Sequence, residues 1–425
     1  MSPAKPLGLL AATALVVGNM IGSGVFLLPA SLAPYGALSL VGWGITLGGA
    51  LLLALTFARL SARWPQTGGP YAFARNGFGD SAGFLIAWSY WISIWCATAA
   101  IAVAFAGSLG AIFPQLVATP LRGAACALAA LWVCTAINLA GIREAGRTQV
   151  ITTLLKLVPL LLFGGVAVWY VDARHLSVPR FEPGTTLPGA IQATVALTLW
   201  AFLGLEAATI PAGSIEDAKR TIPRATLIGT LLAGIATILT CTAVLGLLPA
   251  DRLKDSAAPM AEAAHALWGS GAAIGVALVA MVSCFGALNG WVLLSGQIPL
   301  AAARDDALPA RFARLDARGT PAFGIVVSSL LASVLVVSNY TRSLVQLFTF
   351  SILLSTAASL LPFVVSSAAW LRRGEGGKVV AALALLYATY ALIGTGREAL
   401  VWGAGLLAVG WAMHLWRRRA PTLSG

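Results

Sequence analysis

The sequence predicts an all-α polytopic membrane protein, and three observations lead to that prediction. Of the 425 residues, 59% are hydrophobic and only 10% are charged, with a mean hydropathy of +0.87. Soluble domains carry roughly 25% charged residues. Apolar runs longer than ~18 residues recur along the whole chain, which is typical of membrane-spanning helices. Polar stretches between these runs are all too short to form a separate soluble domain.

About twelve helical spans are predicted, since a helix needs ~20 residues to cross a hydrocarbon core of ~30 Å. We place them near residues 8–32, 37–61, 82–113, 121–141, 147–171, 189–212, 222–249, 271–302, 321–339, 343–370, 378–396 and 399–416. The short stretch "APYG" separates the first two spans, which indicates a tight helical hairpin.

The distribution of basic residues predicts that both termini lie in the cytoplasm. With a cytoplasmic N-terminus, the inside loops hold 19 Lys and Arg residues and the outside loops hold 7. That excess agrees with the positive-inside rule. The net charge of +12 is therefore explained by the orientation of the chain in the membrane. Because the basic residues are scattered rather than concentrated on one face, nucleic acid is not an expected partner.

The first span contains an interruption, "GNMIGSGVFLLP", from Gly18 to Pro29. Irregular backbone survives in lipid only where protein or water satisfies its amide and carbonyl groups. We expect the helix to unwind between Ile21 and Gly24, and a second half-helix to start near Ser23. Its free N–H groups and positive dipole end would attract a carboxylate. The alternative is close helix packing through small residues.

The sixth predicted span repeats the interruption in "TLWAFLGLEAATIPAG", residues 198–213, where Gly204 and Glu206 fall mid-helix and Pro211 follows. Two interrupted helices five spans apart are the best sequence indication of a transporter built from inverted repeats. We therefore expect residues 8–171 and 189–370 to form two related five-helix repeats within one transmembrane domain. Residues 378–416 would add two further helices.

Two ionisable residues are predicted to lie deep inside spans. Glu206 is the only carboxylate at such depth, and Lys156 in "TTLLKLVP" is the only basic residue. Charged groups there are expensive, so each is a candidate functional residue. Glu206 could carry a proton or face a cation. The alternatives are a structural ion pair between the two, or a Lys156 side chain that reaches the cytoplasmic interface.

Cysteine and histidine give no sign of a metal site or a catalytic centre. The five cysteines all fall within predicted spans without close pairing, and the three histidines lie in or beside loops without ligand spacing. We expect no metal and no cofactor. Neither a phosphate loop nor a dinucleotide fingerprint stands out, so we do not expect an enzyme.

Several motifs resemble those of the amino acid–polyamine–organocation transporter superfamily, and within it the basic amino acid/polyamine antiporters. The motifs are "GNMIGSGVFLLP", "PQTGGPYAFARNGFG", "TLWAFLGLE", "EDAKRTIPRA", "NGWVLLSGQ" and "ARDDALPARFARL". They occur in the family's order and cover nearly the whole chain. The resemblance implies a LeuT-like fold with helices 1 and 6 broken.

The resemblance also implies roles for individual residues. Ser23 and Gly24, with Ile21 beside them, would hold the substrate carboxylate, and Asn19 would support the unwound segment. The sixth span would receive the α-amino group at Gly204 and at neighbouring carbonyls such as that of Leu203. Further implied roles are Trp200 as the wall that stacks on the substrate side chain, Trp291 as a middle gate, Tyr90 with Glu206 as a distal gate, and Ser355 as a contact to the far end of the substrate.

Three positions depart from the antiporter pattern. Thr98 stands where those antiporters have an asparagine that reads the substrate, and Phe363 stands where they have a distal-gate tyrosine. Lys156 instead resembles a fifth-helix lysine of proton-coupled amino acid transporters, where the ammonium occupies the place of a coupling sodium ion. These departures bear on substrate choice rather than on superfamily membership.

The expected function is therefore a secondary carrier in a bacterial-type inner membrane. The leading form exchanges an arginine-like amino acid for its decarboxylated amine by alternating access. The alternative is proton-coupled uptake of neutral or broadly selected amino acids, in which Glu206 or Lys156 titrates. An ion channel and an intramembrane enzyme are the candidates from other classes. Expected partners are amino acids, amines, protons and the lipid bilayer, and the chain could assemble as a homodimer.

Overall fold

The computed structural model describes residues 8–66, 68–177, 186–210, 212, 215–339 and 341–419, with only the backbone at 11, 142–152, 154 and 416–419. These residues contain sixteen α-helices: α1 (Leu9–Met20), α2 (Gly24–Leu32), α3 (Leu38–Arg63), α4 (Pro70–Phe78), α5 (Asp80–Ile112), α6 (Pro120–Ala140), α7 (Ile142–Ala167), α8 (Leu187–Leu199), α9 (Ala218–Leu247), α10 (Ala250–Leu253), α11 (Pro259–Trp268), α12 (Ser270–Arg304), α13 (Ala322–Ser338), α14 (Leu344–Arg373), α15 (Lys378–Gly394) and α16 (Gly396–Arg419).

The helices agree with the prediction of an all-α polytopic membrane protein. Among the described residues, eight helical segments are long and apolar enough to cross a membrane, and four shorter apolar helices accompany them. Together they correspond to the twelve predicted spans. The three short helices α4, α10 and α11 lie in loops and were not predicted, because the apolar runs that mark spans are absent there.

The third span, α5, lies at the centre of the bundle, and the last span lies at its edge. In α5, 89% of the most apolar stretch is buried within the protein, whereas in α16 only 17% is buried. The first span, formed by α1 and α2, is 94% buried by the same measure. Hydropathy does not predict this division, since α3 and α5 share a mean hydropathy of 1.9 but are 50% and 89% buried, so packing decides which helices face protein and which face lipid.

The sixth span differs in detail from the predicted segment at 189–212. Helix α8 ends at Leu199, and two short 3₁₀ turns at Trp200–Phe202 and Ala207–Thr209 follow it. Between them Leu203 is extended and Gly204 has a φ of +104°, a conformation that a regular helix cannot contain. Pro211 lies outside the described residues. The predicted repeat boundaries at 8–171, 189–370 and 378–416 stay predictions.

Candidate functional site

The first span is broken where the sequence predicted. Helix α1 ends at Met20, Ile21 adopts an extended conformation, and α2 begins at Gly24 with Ser23 as its N-cap. The Ser23 carbonyl accepts bonds from the N–H groups of Phe26 and Leu27. The Ser23 hydroxyl is buried and has no hydrogen-bond partner among the described residues. The break therefore leaves the first N–H groups of α2 and a free hydroxyl beside one another.

The break in the sixth span lies against the break in the first. A Cβ atom at Gly204 would come within 3.0 Å of Asn19 Cβ and 3.2 Å of the Met20 backbone nitrogen. With a positive φ as well, this position excludes any side chain. Asn19 is fixed in turn, because its Nδ2 donates to the Leu15 carbonyl at 2.8 Å. The two interruptions thus form one irregular layer in the middle of the bundle.

A small enclosed cavity lies in this layer. Its lining residues are Asn19, Met20, Gly22, Ser23, Gly24, Ile101, Trp200, Leu203 and Trp291. The volume open to water is about 10 Å³, which is room for roughly one water molecule. An amino acid can therefore enter only if the surrounding helices separate. The structure has the closed geometry of an occluded site.

Trp200 forms a wall of the cavity beside the N-terminus of α2. A Cβ atom on Gly24 would lie 3.0 Å from Trp200 Cδ1, so the absence of a side chain at Gly24 is what allows the indole to sit there. The edge of Trp200 meets Phe348 of α14 with ring centroids 6.5 Å apart. Trp200 thus links α2, the sixth span and α14.

The structure brings six of the predicted substrate residues to the cavity. Those six are Asn19, Ser23, Gly24, Trp200, Leu203 and Trp291. Four others are not part of its lining. Thr98 donates back to the Ile94 carbonyl of its own helix at 2.7 Å, and Ser355 donates to the Ser93 carbonyl at 2.8 Å. Gly204 faces Asn19 instead, and the Ile21 carbonyl is occupied by Lys156.

Sequence reasoning did not single out Met20 and Ile101, although both line the cavity. Both are ordinary apolar residues in apolar spans, so their sequence context carries no signal that separates them from packing residues. Only the helix orientation places them at the site.

Glu206 and Tyr90 are joined as the resemblance implied. The Tyr90 hydroxyl donates to Glu206 Oε1 at 2.7 Å, and the Gly204 backbone N–H donates to Oε2 at 3.1 Å. Both side chains are fully buried. Phe363 provides no second hydroxyl and instead packs edge-on against Phe57 with centroids 5.3 Å apart. The carboxylate therefore closes the turn of the broken sixth span and ties it to α5.

Lys156 is neither an ion-pair partner of Glu206 nor exposed at the interface. Its Nζ donates to the carbonyl oxygens of Gly18 at 2.7 Å and Ile21 at 2.5 Å, and the side chain has no solvent exposure. These are carbonyl groups that the helix break sets free. Both alternatives raised from the sequence are therefore wrong, because the ammonium supplies the donors that the unwound backbone lacks.

A polar cluster that sequence reasoning missed joins α4 to the end of α12. The Tyr71 hydroxyl donates to Asp305 Oδ2 at 2.8 Å, and Arg75 pairs with the same oxygen at 2.8 Å and with Asp80 at 2.8 Å. Burial, with help from the bond to Asp305, raises the pKa of Tyr71, so this hydroxyl remains a donor throughout the physiological range. Tyr71 and Arg75 lie in "PQTGGPYAFARNGFG" and Asp305 lies in "ARDDALPARFARL", but these motifs are more than 200 positions apart and do not indicate that the residues meet.

The fold and the site together define a multi-pass membrane carrier in which two broken helices enclose a small polar cavity. The chain belongs to the amino acid permease family, whose sequence pattern matches residues 7–413. The expected membership of the amino acid–polyamine–organocation superfamily is confirmed.

Similar proteins cover most of the chain. A putative arginine/ornithine antiporter of Bacillus subtilis is 34% identical, covering 96% of each chain. A cadaverine/lysine antiporter of Escherichia coli is 35% identical over 79% of this chain and 76% of its own. A putrescine transporter of Haemophilus influenzae is 29% identical over 96% of each chain.

Proposed function

We propose that this protein is an inner-membrane antiporter that exchanges a basic amino acid for its decarboxylated amine by alternating access. The similar proteins described above are named for exchange or transport of such compounds, and cadaverine is the decarboxylation product of lysine. The observation that carries the proposal is the closed cavity between the two helix breaks. It offers the N-terminus of α2 for a carboxylate and Trp200, which packs beside Gly24, as an aromatic wall.

The carboxylate of the amino acid would bind at the N-terminus of α2. The unpaired N–H groups of a first helical turn favour an anion. The free Ser23 hydroxyl adds a donor, and Gly24 lets the ligand approach the main chain. A decarboxylated amine lacks this anchor, so it would bind mainly through its cationic end. That difference suits an exchanger, which must release one form and capture the other.

The cationic side chain would lie against Trp200. A guanidinium or ammonium over an indole gains about 0.5–2 kcal/mol, most when the site is dry. The α-amino group would meet the backbone carbonyl of Leu203, which lines the cavity, because the Gly204 carbonyl already accepts the Ala207 N–H at 2.9 Å. Trp291 lines the cavity from α12 and would act as the middle gate. Thr98 and Ser355 would reach the substrate only after their helices move.

The Tyr90–Glu206 bond would serve as the distal gate. It joins α5 to the broken sixth span, so the two elements cannot separate while it is intact. Protonation of Glu206 would remove the charge that makes this bond strong. We infer that opening of the gate and the protonation state of Glu206 are linked.

The second candidate function is proton-coupled uptake, and the position of Lys156 favours it. An ammonium that binds the Gly18 and Ile21 carbonyls holds the unwound segment. Loss of a proton from this lysine would remove its charge and weaken both bonds, which would couple a proton to the geometry of the site. We favour exchange because the similar proteins are named as antiporters or as a putrescine transporter. Both broken-helix motifs also resemble those of the antiporters.

The deciding experiment uses purified protein in liposomes. Vesicles preloaded with unlabelled agmatine or arginine, and matched empty vesicles, would be offered labelled arginine, lysine and leucine. Exchange predicts uptake only into preloaded vesicles. Accumulation into empty vesicles under an imposed proton gradient, abolished in Lys156→Ala, would overturn exchange in favour of uptake. Ion flux far faster than carrier turnover would indicate a channel, and chemical conversion of the substrate would indicate an enzyme.

We further propose that both termini lie in the cytoplasm and that the protein forms a homodimer. The excess of Lys and Arg in alternate loops supports the orientation. Cysteine labelling from one side of intact cells at Lys254 and at Arg373 would test it, because the proposal places the first residue outside and the second inside. Mass measurement of the purified protein in detergent would test the dimer.

A further inference from the structure

An exposed cavity of about 390 Å³ lies between the end of α12 and the start of α13, far in sequence from the helix breaks. It is lined by Arg311, Arg314, Leu315, Asp316, Ala322 and Phe323. None of these residues belongs to the central cavity or to the polar cluster of Tyr71. The transport mechanism proposed above assigns no role to this cavity.

Both arginines line the cavity from one short turn. A 3₁₀ turn spans Ala310–Ala313, and Arg314 follows as its C-cap in extended backbone. Both arginines are exposed, and within the described ranges neither takes part in an ion pair. The two guanidinium groups are therefore available to bind an anion that enters the cavity.

Asp316 is the one acidic residue in the lining. It already accepts hydrogen bonds from its own loop. Its Oδ1 accepts the backbone N–H groups of Arg318 at 2.8 Å and Thr320 at 2.9 Å. The first turn of α13 contributes Ala322 and Phe323 to the lining and brings the positive end of the helix dipole close to it, while the Ala322 N–H itself donates to the Thr320 carbonyl at 2.9 Å. With two guanidinium groups and one carboxylate, the lining carries a net positive charge, which favours an anion.

The cavity lies at the level of the membrane surface. Helix α13 exposes a stripe of apolar side chains, formed by Phe323, Leu330, Val334 and Val337. Their spacing places them on one face, which must contact acyl chains in a membrane-spanning helix. Phe323 and Leu315, 40% and 43% exposed, border the cavity on this apolar side. The arginines lie beyond the end of the stripe, where lipid headgroups are found.

The turn that carries the arginines is held firmly in the protein. Phe312, between them, is buried and packs edge-on against Trp91 of α5 at 5.5 Å and against Phe323 at 4.8 Å. Trp91 in turn donates to Ser328 of α13 at 2.7 Å. The backbone that carries both guanidinium groups is therefore fixed in position, which reduces the entropy lost when they bind a ligand.

We propose that this cavity binds the phosphate of an anionic phospholipid such as phosphatidylglycerol, with the acyl chains along the apolar stripe of α13. Arginine binds phosphate oxygens in pairs, and basic pockets between membrane helices bind lipid headgroups. Each basic residue near an anionic leaflet strengthens binding about fivefold, so loss of both should weaken it by about thirtyfold.

The test measures lipid retention by native mass spectrometry of the full chain in detergent supplemented with phosphatidylglycerol or phosphatidylcholine. Wild type should retain phosphatidylglycerol preferentially. Arg311→Gln/Arg314→Gln should lose about thirtyfold in affinity, and Leu315→Gln should lose less, through the acyl contact alone. The matched control Lys219→Gln/Arg220→Gln removes the same charge from the start of α9 and should behave like wild type.

Further measurements distinguish binding of the lipid from binding of a free anion. Inorganic phosphate and water-soluble glycerophosphoglycerol, added at millimolar concentration, should not displace the lipid. Displacement by either would overturn the lipid assignment in favour of a soluble-phosphate site. Equal loss in both double variants would overturn the site in favour of a general surface charge effect. If the double variant fails to fold, Arg311→Gln and Arg314→Gln singly should each lose about fivefold, and unchanged retention in both singles would refute the proposal.

Discussion

Replacing Lys156 with methionine should weaken substrate binding strongly while leaving the fold intact. The Lys156 ammonium donates to the Gly18 and Ile21 carbonyls, and its side chain is fully buried. Methionine keeps an unbranched side chain of similar length but leaves both carbonyl groups without this donor. Each buried polar group left unpaired costs about 1–3 kcal/mol. The two together therefore cost about 2–6 kcal/mol.

This cost applies to the conformation in which the first span is broken. Removing a buried ammonium also relieves its desolvation cost of several kcal/mol in every folded conformation, so the free energy of unfolding should change little. The two lost bonds act only on the conformation with the first-span break, so they lower its population among the folded conformations. The geometry of the first-span break, however, depends on these two bonds. Taking the lower bound of about 2 kcal/mol, substrate affinity should fall about thirtyfold or more.

The assay is equilibrium binding of labelled substrate to purified protein, with thermal unfolding measured on the same samples. Lys254→Met is the matched control, because Lys254 is exposed and pairs with the exposed Asp251 at 3.3 Å. That variant should bind like wild type. An affinity for Lys156→Met within about threefold of wild type, or about 0.7 kcal/mol, would refute the argument that these bonds hold the binding geometry.

Four further predictions follow from the site. Gly24→Val should abolish binding of every amino acid substrate in a folded protein, because a Cβ there already meets Trp200 at 3.0 Å; unchanged affinity would contradict the carboxylate site. Trp200→Leu should weaken a cationic substrate more than Trp200→Phe, by about 0.5–2 kcal/mol, and equal losses in a binding assay would indicate shape alone. Glu206→Gln should flatten the pH dependence of exchange in liposomes while exchange itself survives, and an unaltered pH profile would exclude Glu206 as the titrating group. Tyr71→Phe removes one hydrogen bond to Asp305 and should lower the free energy of unfolding by about 0.5–1.5 kcal/mol; an unchanged free energy of unfolding would show that this bond does not stabilise the folded protein.

The sequence by itself determined the class of fold and the location of both helix breaks. The number of spans can be predicted from hydropathy because each crossing of a bilayer requires about 20 apolar residues. Glycine-rich stretches marked the interruptions at Ile21 and Gly204, because residues without side chains are needed where backbone leaves the helix within the membrane. The pairing of Tyr90 with Glu206 was also foreseen, although by resemblance rather than by spacing.

Only the tertiary structure decided which polar groups meet. Lys156 was expected beside Glu206 or at the interface, yet it binds the backbone of the first span. Ile101, Met20 and Asp305 carry no local sequence signal, and their places follow from helix rotation and packing. The physical reason is that hydropathy and helix breaks arise from local interactions with lipid and backbone. The partners of a buried charge, in contrast, depend on which distant helices pack against it and on which unpaired carbonyl or carboxylate groups they bring.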